Sequence, residues 1–168
     1  MSSKRLPGKV LKNLAGKPIL QWTVDRINHS KFLKKIVVAT SFDSRDDAAE
    51  EFCLAQNIKC HRGPLENVAQ RYAEVARLEK AESFVRINGD SPLIDPEIID
   101  EAVSIFRTTA VDFVTNTMVR TFPKGQSVDH DFFVTHSGKN NKHSFSFATQ
   151  YKKSLYLGFN FNSHSSRF

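Results

Sequence analysis

Apolar and polar positions along this chain change period several times. Ile19, Leu20, Val24 and Ile27 recur at helical spacing behind Pro18, which suits a first turn, so residues 18–31 are predicted to form a helix. The run from Lys35 to Ser41 (KIVVATS) reads as a short buried strand. Residues 44–56 read as a second helix, with Ser44 placed to cap it and Asp46 and Asp47 in its first turn. Ile58–Cys60 reads as a short strand. Residues 64–80 return to helical spacing, with Val68, Tyr72, Val75 and Leu78 on one face. Ser83–Ile87 reads as a strand, Asp95–Arg107 as a helix capped by Asp95, and Asp112–Thr115 as a further strand.

Strands alternating with helices of about 12 residues specify βαβ units, hence an α/β fold with a mostly parallel sheet. Right-handed crossovers collect the strand-to-helix loops at one edge of such a sheet. Ligands of open α/β sheets bind at that edge. The loops in question are Ser41–Ser44, Arg62–Pro64 and Gly89–Pro92, joined by the basic turn Arg5–Lys9.

Composition narrows the partners. The chain has 168 residues, enough for one domain with its own core, and a formal net charge of +6. The basic residues are scattered and not interleaved with aromatics, which argues against nucleic acid and for phosphorylated small molecules. Cys53 and Cys60 fall in no metal or redox motif and read as small buried hydrophobes. Nothing in the cysteine usage suggests a disulfide scaffold, so a reducing cytoplasm is expected. No apolar run approaches the ~18 residues of a membrane span, and the start lacks the apolar core of a signal peptide. Composition shifts near Asp129: Asp129–Phe168 holds 7 of the 14 Phe, 4 of the 6 His and only 2 acidic residues. This tail is expected to be poorly ordered or irregular, with Tyr156–Phe161 as one alternating strand. The histidines show no metal spacing.

Candidate chemistry concentrates at two places. In Val85–Pro96 (VRINGDSPLIDP) a β-prone run ends on Gly89-Asp90, which sets a carboxylate at the carboxyl end of a strand. Such a carboxylate suits an Mg²⁺ that arrives with a phosphate; from spacing alone a turn cap before Pro92 is an equal reading. In Arg5-Leu6-Pro7-Gly8-Lys9, two cations flank a glycine that lets backbone N–H groups approach an anion, the alternative being a solvated basic terminus. Lys17 lies beside a helix start, available to assist or simply solvated. Thr40 and Ser41 end a strand at the ligand edge. Arg86 points away from the face of Val85 and Ile87, toward a ligand or a structural ion pair. Arg71 either reaches the site or forms a surface ion pair with Glu74 or Glu66.

Taken together, these blocks resemble the cytidylyltransferases that make CMP-activated sugar acids, the family of spore-coat polysaccharide biosynthesis, CMP-Kdo synthetase and acylneuraminate enzymes. The resemblance rests on Ser3–Lys9, Leu14–Pro18, Val37–Ser41, Arg62-Gly63 with Gln70–Tyr72, Val85–Pro96 and Arg120–Gly125, in order, over residues 1–128. It implies a Rossmann-like three-layer nucleotide-diphospho-sugar transferase fold, and the transfer of CMP from CTP to a sugar acid with release of pyrophosphate. It also implies Mg²⁺ held by Asp90, with Asp129 in the place of a second acid. Lys9 and Asp90 would then be catalytic. Arg5, Gly8, Lys9, Thr40, Ser41, Arg71 and Arg86 would contact the nucleotide, and Arg120, Lys124 and Gln126 the sugar acid. Family members pair as homodimers. Two departures stand out. No strand precedes the basic turn, so the first strand is expected to be missing, and from His130 onward the family pattern stops. A catalytically impaired nucleotide-binding remnant is therefore the alternative from another class. A related pyrophosphorylase or glycosyltransferase would carry Asp-x-Asp after a strand, whereas here that spacing occurs only at Asp129-His130-Asp131.

Overall fold

The computed structural model describes residues 8–109, 111 and 113–116, together with the strands 133–136 and 156–160. Gly8 opens a 3₁₀ turn over Lys9–Leu11. A small hairpin follows, β1 (Asn13–Leu14) and β2 (Lys17–Pro18), which hydrophobic periodicity does not reveal. Its loop residues Ala15 and Gly16 both have positive φ, 49° and 91°, as a primed two-residue turn requires, and the Gly16 amide donates to Asn13 Oδ1 at 2.9 Å. Helix α1 (Ile19–Ile27) ends earlier than the periodicity suggests. The reason is tertiary: Asp100 accepts hydrogen bonds from the Ser30 hydroxyl and the Lys31 amide, which pulls the chain out of the helix.

The alternation then follows the expected order. Strand β3 (Lys35–Ser41) leads through a 3₁₀ turn, Ser44–Asp46, into α2 (Asp47–Ala55). The cap at this point is Asp43 and not Ser44: the Asp43 carboxylate accepts from the Arg45 amide at 3.0 Å, a local geometry that a short acidic side chain reaches readily. Strand β4 (Lys59–Gly63) and α3 (Val68–Leu78) come next. Asn67 caps α3 by accepting from the Gln70 amide at 2.9 Å, so residues 64–67 form a lead-in and not a first turn. Strand β5 (Ser83–Asn88) is followed by α4 (Pro96–Thr108), whose cap is Asp95, as its position before Pro96 suggests. Short strands β6 (Phe113–Val114), β7 (Phe133–His136) and β8 (Tyr156–Asn160) complete the described residues.

The main sheet has the order β4-β3-β8-β5-β7-β6. Strands β3 and β4 pair in parallel, and β8 pairs antiparallel with both β3 and β5. Strand β7 pairs antiparallel with β5 and β6. Hence β3, β4, β5 and β6 all point one way, with β7 and β8 reversed between them. A doubly wound sheet carries its first strand between the second and fourth; here β8 holds that place. Both β7 and β8 come from the Phe- and His-rich stretch, whose other residues lie outside the described set.

Helices cover both faces. Leu20, Val24 and Ile27 of α1, Ala49 and Cys53 of α2, and Ile99, Ala102, Val103 and Phe106 of α4 pack with Val38, Val85 and Ile87 in one core. Tyr72, Val75 and Ala76 of α3 pack with Val37, Ala39 and Phe84 in the other. The side-chain alternation of β3 and β5 thus divides the molecule into three layers and aims the carboxyl ends of the strands at a common edge.

Candidate functional site

At that edge the two sequence-predicted blocks meet. Gly8 lies in the left-handed region (φ 65°) and turns the chain so that Lys9 starts the 3₁₀ turn. The Lys9 ammonium forms an ion pair with the Asp90 carboxylate. Both side chains keep a route to solvent, 33% and 14% exposed, so the pair does not lie in the core. Between residues so distant in sequence, this contact is the central geometric fact of the site.

Helix α1 holds the Asp90 loop in place. The Thr23 hydroxyl, buried in the first core, donates to Ile19 O at 3.0 Å and approaches Gly89 O at 3.3 Å. Arg26 Nε donates to Ile94 O at 2.6 Å. Inside the loop, the Ser91 amide donates to Asn88 O and the Ile94 amide to Ser91 O. The buried Ile94 side chain anchors the far end. Neither Thr23 nor Arg26 stands out in the sequence, since each lies on an ordinary helical face and acts through a backbone carbonyl far along the chain.

A second wall comes from the α3 side of β5. Arg86 lies opposite Val85 and Ile87, as the alternation implies, with its guanidinium 5.8 Å from the centre of the Tyr72 ring. The Tyr72 and Phe84 rings stack at 5.7 Å. Arg71, in the first turn of α3, is 2% exposed. It is therefore an interior group beneath the edge and not a surface residue. Gly63 makes room for it: a Cβ at position 63 would lie 2.5 Å from Arg71 Cγ. The buried Asn88 side chain completes this polar end of the α3 face.

The loop after β3 is built differently from the expectation for Thr40 and Ser41. Both are fully buried, and their hydroxyls donate to Asp46 Oδ2, at 2.8 Å and 2.5 Å. The Ser41 amide adds a third bond to the same oxygen at 3.0 Å. These hydroxyls thus shape the loop through Asp46. Arg62 clamps the same loop from β4, donating to Ser41 O at 2.7 Å and Asp43 O at 2.9 Å and pairing with Asp47 and Glu50 of α2. Its neighbour Asp43 carries a carboxyl held far below the ordinary range by hydrogen bonds from the Arg45 side chain and amide.

Lys17 pairs with Asp25 at 2.9 Å and lies over the Trp22 ring at 4.7 Å. Among the described residues, no group of three or more His, Cys, Asp or Glu side chains is arranged to hold a metal. Arg5, Arg120, Lys124, Gln126 and Asp129 lie outside the described residues, as do most of the region expected to carry dimer contacts. No helix among the described residues is long and apolar enough to cross a membrane.

A family model described as Cytidylyltransferase matches residues 1–154. The chain is 38% identical over 104 residues to the spore coat polysaccharide biosynthesis protein SpsF of Bacillus subtilis, covering 60% of this chain and 43% of that protein. It is 40% identical over 102 residues to a 3-deoxy-manno-octulosonate cytidylyltransferase of Solibacter usitatus, covering 61% and 40%. Among solved structures, a cytidylyltransferase from Leptospira borgpetersenii aligns with TM-score 0.73 at 33% identity, over 81% of this chain and 56% of that one. The chain thus spans less than half the length of these curated relatives.

Proposed function

The chain belongs to the cytidylyltransferase family, and from that premise we propose that its Lys9–Asp90 edge binds CTP and transfers CMP to a sugar acid, releasing pyrophosphate. The observation that carries this reading is the ion pair itself: one cation and one carboxylate, from separate blocks, held together at the carboxyl edge of the sheet. The names of the relatives, a spore coat polysaccharide protein and a 3-deoxy-manno-octulosonate cytidylyltransferase, support a sugar-acid acceptor used in surface polysaccharide synthesis.

In this reaction a hydroxyl of the sugar acid attacks the α-phosphorus of CTP and the bond to the β-phosphate oxygen breaks. Such chemistry depends mainly on positioning and charge neutralisation. The Lys9 ammonium exchanges the Asp90 carboxylate for phosphate oxygens, and Arg5, from the same block of sequence, is assigned as a second cation. The left-handed Gly8 exposes the turn's backbone to the phosphates. A single carboxylate fits Mg²⁺ that keeps phosphate oxygens and water as its other ligands, and does not fit a closed protein cage. When bound there, the ion would neutralise charge on the phosphates. Arg86 and the buried Arg71 give the α3 wall a positive potential. Thr23, Arg26 and Arg62 keep the two loops in register, which fixes where Asp90 points. Arg120, Lys124 and Gln126 are assigned to the acceptor's carboxylate, and Asp129 to a second acidic contribution.

The test is pyrophosphate release from CTP with Mg²⁺ and a panel of sugar acids that includes 3-deoxy-manno-octulosonate, together with CTP binding by calorimetry. Turnover near 1 s⁻¹ or above, an ordinary enzyme rate, is expected with one of the acids and should vanish in Asp90→Asn. CTP binding without turnover would favour the nucleotide-binding remnant. Absence of CTP binding, or turnover that survives Asp90→Asn, would refute the assignment.

A further inference from the structure

A second opening lies along helix α1. It is a cleft of about 530 Å³ between β2, α1 and the start of α4, with Lys17, Trp22, Asp25, Arg26, His29 and Pro96 in its walls. Neither Lys9 nor Asp90 lines it, and the reaction described above makes no use of it. The volume falls within the roughly 300–1,000 Å³ typical of small-molecule sites and is more than a bare ion fills.

The walls are fixed in advance. The Trp22 indole N–H donates to Leu14 O at 2.6 Å, and the Lys17 ammonium lies 4.7 Å from the ring centre. Both oxygens of Asp25 are taken, one by Lys17 at 2.9 Å and the other by Gln21 at 2.7 Å. That acid is therefore neutralised within the wall. Arg26 is held at Nε, which donates to Ile94 O at 2.6 Å. Among the described residues its two terminal nitrogens meet no acceptor. His29 is exposed, and its ring likewise has no hydrogen-bond partner among the described residues. Two cations thus face one committed carboxylate, and the unused donors belong to Arg26 and His29.

We propose that this cleft is a second ligand site, for a sugar ring that carries one anionic group, a carboxylate or a phosphate. The terminal nitrogens of Arg26 grip two oxygens of the anion, as a planar guanidinium is shaped to do, with His29 beside them. The ring rests on Trp22 and Pro96. A sugar has an apolar C–H face and a polar rim, which match an indole and a proline set among charged donors. Arg26 also ties the cleft to the Asp90 loop, since the same guanidinium holds Ile94 O while the Ile94 amide donates to Ser91 O at 3.1 Å. An anion on the terminal nitrogens restrains that side chain and steadies the loop. The inference does not depend on which nucleotide the Lys9–Asp90 edge takes.

Trp22 is the single tryptophan of the chain, so its fluorescence reports this cleft alone. The whole 168-residue protein is titrated at constant ionic strength with glucuronate, glucose 6-phosphate, inorganic phosphate and glucose. Glucuronate or glucose 6-phosphate should change the emission saturably, with half-saturation below about 1 mM; the tighter of the two identifies the preferred anion. Inorganic phosphate and glucose should each bind at least about tenfold more weakly, because each lacks one half of the ligand. Arg26→Gln should weaken binding by at least about tenfold, and His29→Ala, at an exposed position, by about fivefold. Exchange of the Ile94 amide, followed by mass spectrometry, should slow when the tighter ligand is bound. The proposal is overturned if neither anionic sugar saturates, if inorganic phosphate or glucose binds as well, or if either substitution leaves the half-saturation unchanged. Unaltered exchange at Ile94 would overturn the link to the Asp90 loop.

Discussion

Replacing Gly63 by alanine tests how tightly the wall beneath the site is packed. The added Cβ would lie 2.5 Å from Arg71 Cγ, 3.2 Å from Arg71 Cδ and 3.3 Å from Glu74 Oε2. Real carbon atoms do not approach so closely. Cγ sits two bonds from the backbone of α3, so the clash cannot be relieved by swinging a flexible end. At 2% exposure Arg71 also has no free volume to rotate into. Either the Arg71 side chain leaves its rotamer or the first turn of α3 moves, and with it Tyr72 against Phe84. Overpacking of this kind costs roughly 1–3 kcal/mol, and the severity of the contact points to about 2 kcal/mol. With a urea slope of about 2 kcal/mol/M, the unfolding midpoint followed by circular dichroism should fall by about 1 M. Arg71→Ala removes the clashing atoms, so Gly63→Ala should cost less in that background, with a coupling energy of at least ~1 kcal/mol. A midpoint within the ~0.5 kcal/mol typical of a surface change, or strict additivity in the double-mutant cycle, would refute the packing argument.

Arg62→Lys keeps the charge but loses the planar fork that spans Ser41 O, Asp43 O, Asp47 and Glu50; a loss of about 1–2 kcal/mol is expected in the same unfolding assay, and an unchanged midpoint would show that the clamp is not needed. Glu79 bridges Lys35 and Lys59 at the opposite edge of the sheet, and the hydrogen bond from Lys59, then that from Lys35, holds its carboxyl below the ordinary value of 4.5. A depressed folded pKa gives stability that is present above the unfolded value and is lost as pH falls through the folded one. Unfolding midpoints should therefore decline as pH drops below about 4.5, and Glu79→Gln should flatten that decline; an equal slope in both proteins would contradict the linkage.

Hydrophobic period disclosed the βαβ alternation because α1 to α4 each bury one stripe against a sheet, and such stripes survive in a single sequence. The caps at Asp95 and the strand at Lys35–Ser41 were legible for the same reason: their signals are local. The hairpin before α1 was not, since two-residue strands have no period and Ala15 does not advertise a left-handed turn. The site divides along the same line. Gly89-Asp90 and Gly8-Lys9 announce themselves through turn chemistry at a strand end. Thr40 and Ser41 have the right residue types in the right place, yet Asp46, buried five and six residues later, takes their hydroxyls. Arg62, Thr23 and Arg26 act on backbone carbonyls across the fold, and no spacing in one sequence encodes such a contact.

The placement of β8 bears on how the sheet is assembled. Strands β3 and β5 do not pair with each other; Tyr156–Asn160 stitches them, pairing Ala39 with Tyr156 on one side and Asn88 with Tyr156 on the other. The β3–α2–β4 unit forms from near neighbours in the chain, whereas the join to the Asp90 half waits for a segment far along it. Such distant pairings raise contact order, and closing their loops slows folding. The halves that carry the Arg62 clamp and the Asp90 loop are thus brought into one sheet by its most non-local strand, whose pairing also aligns the two sides of the site.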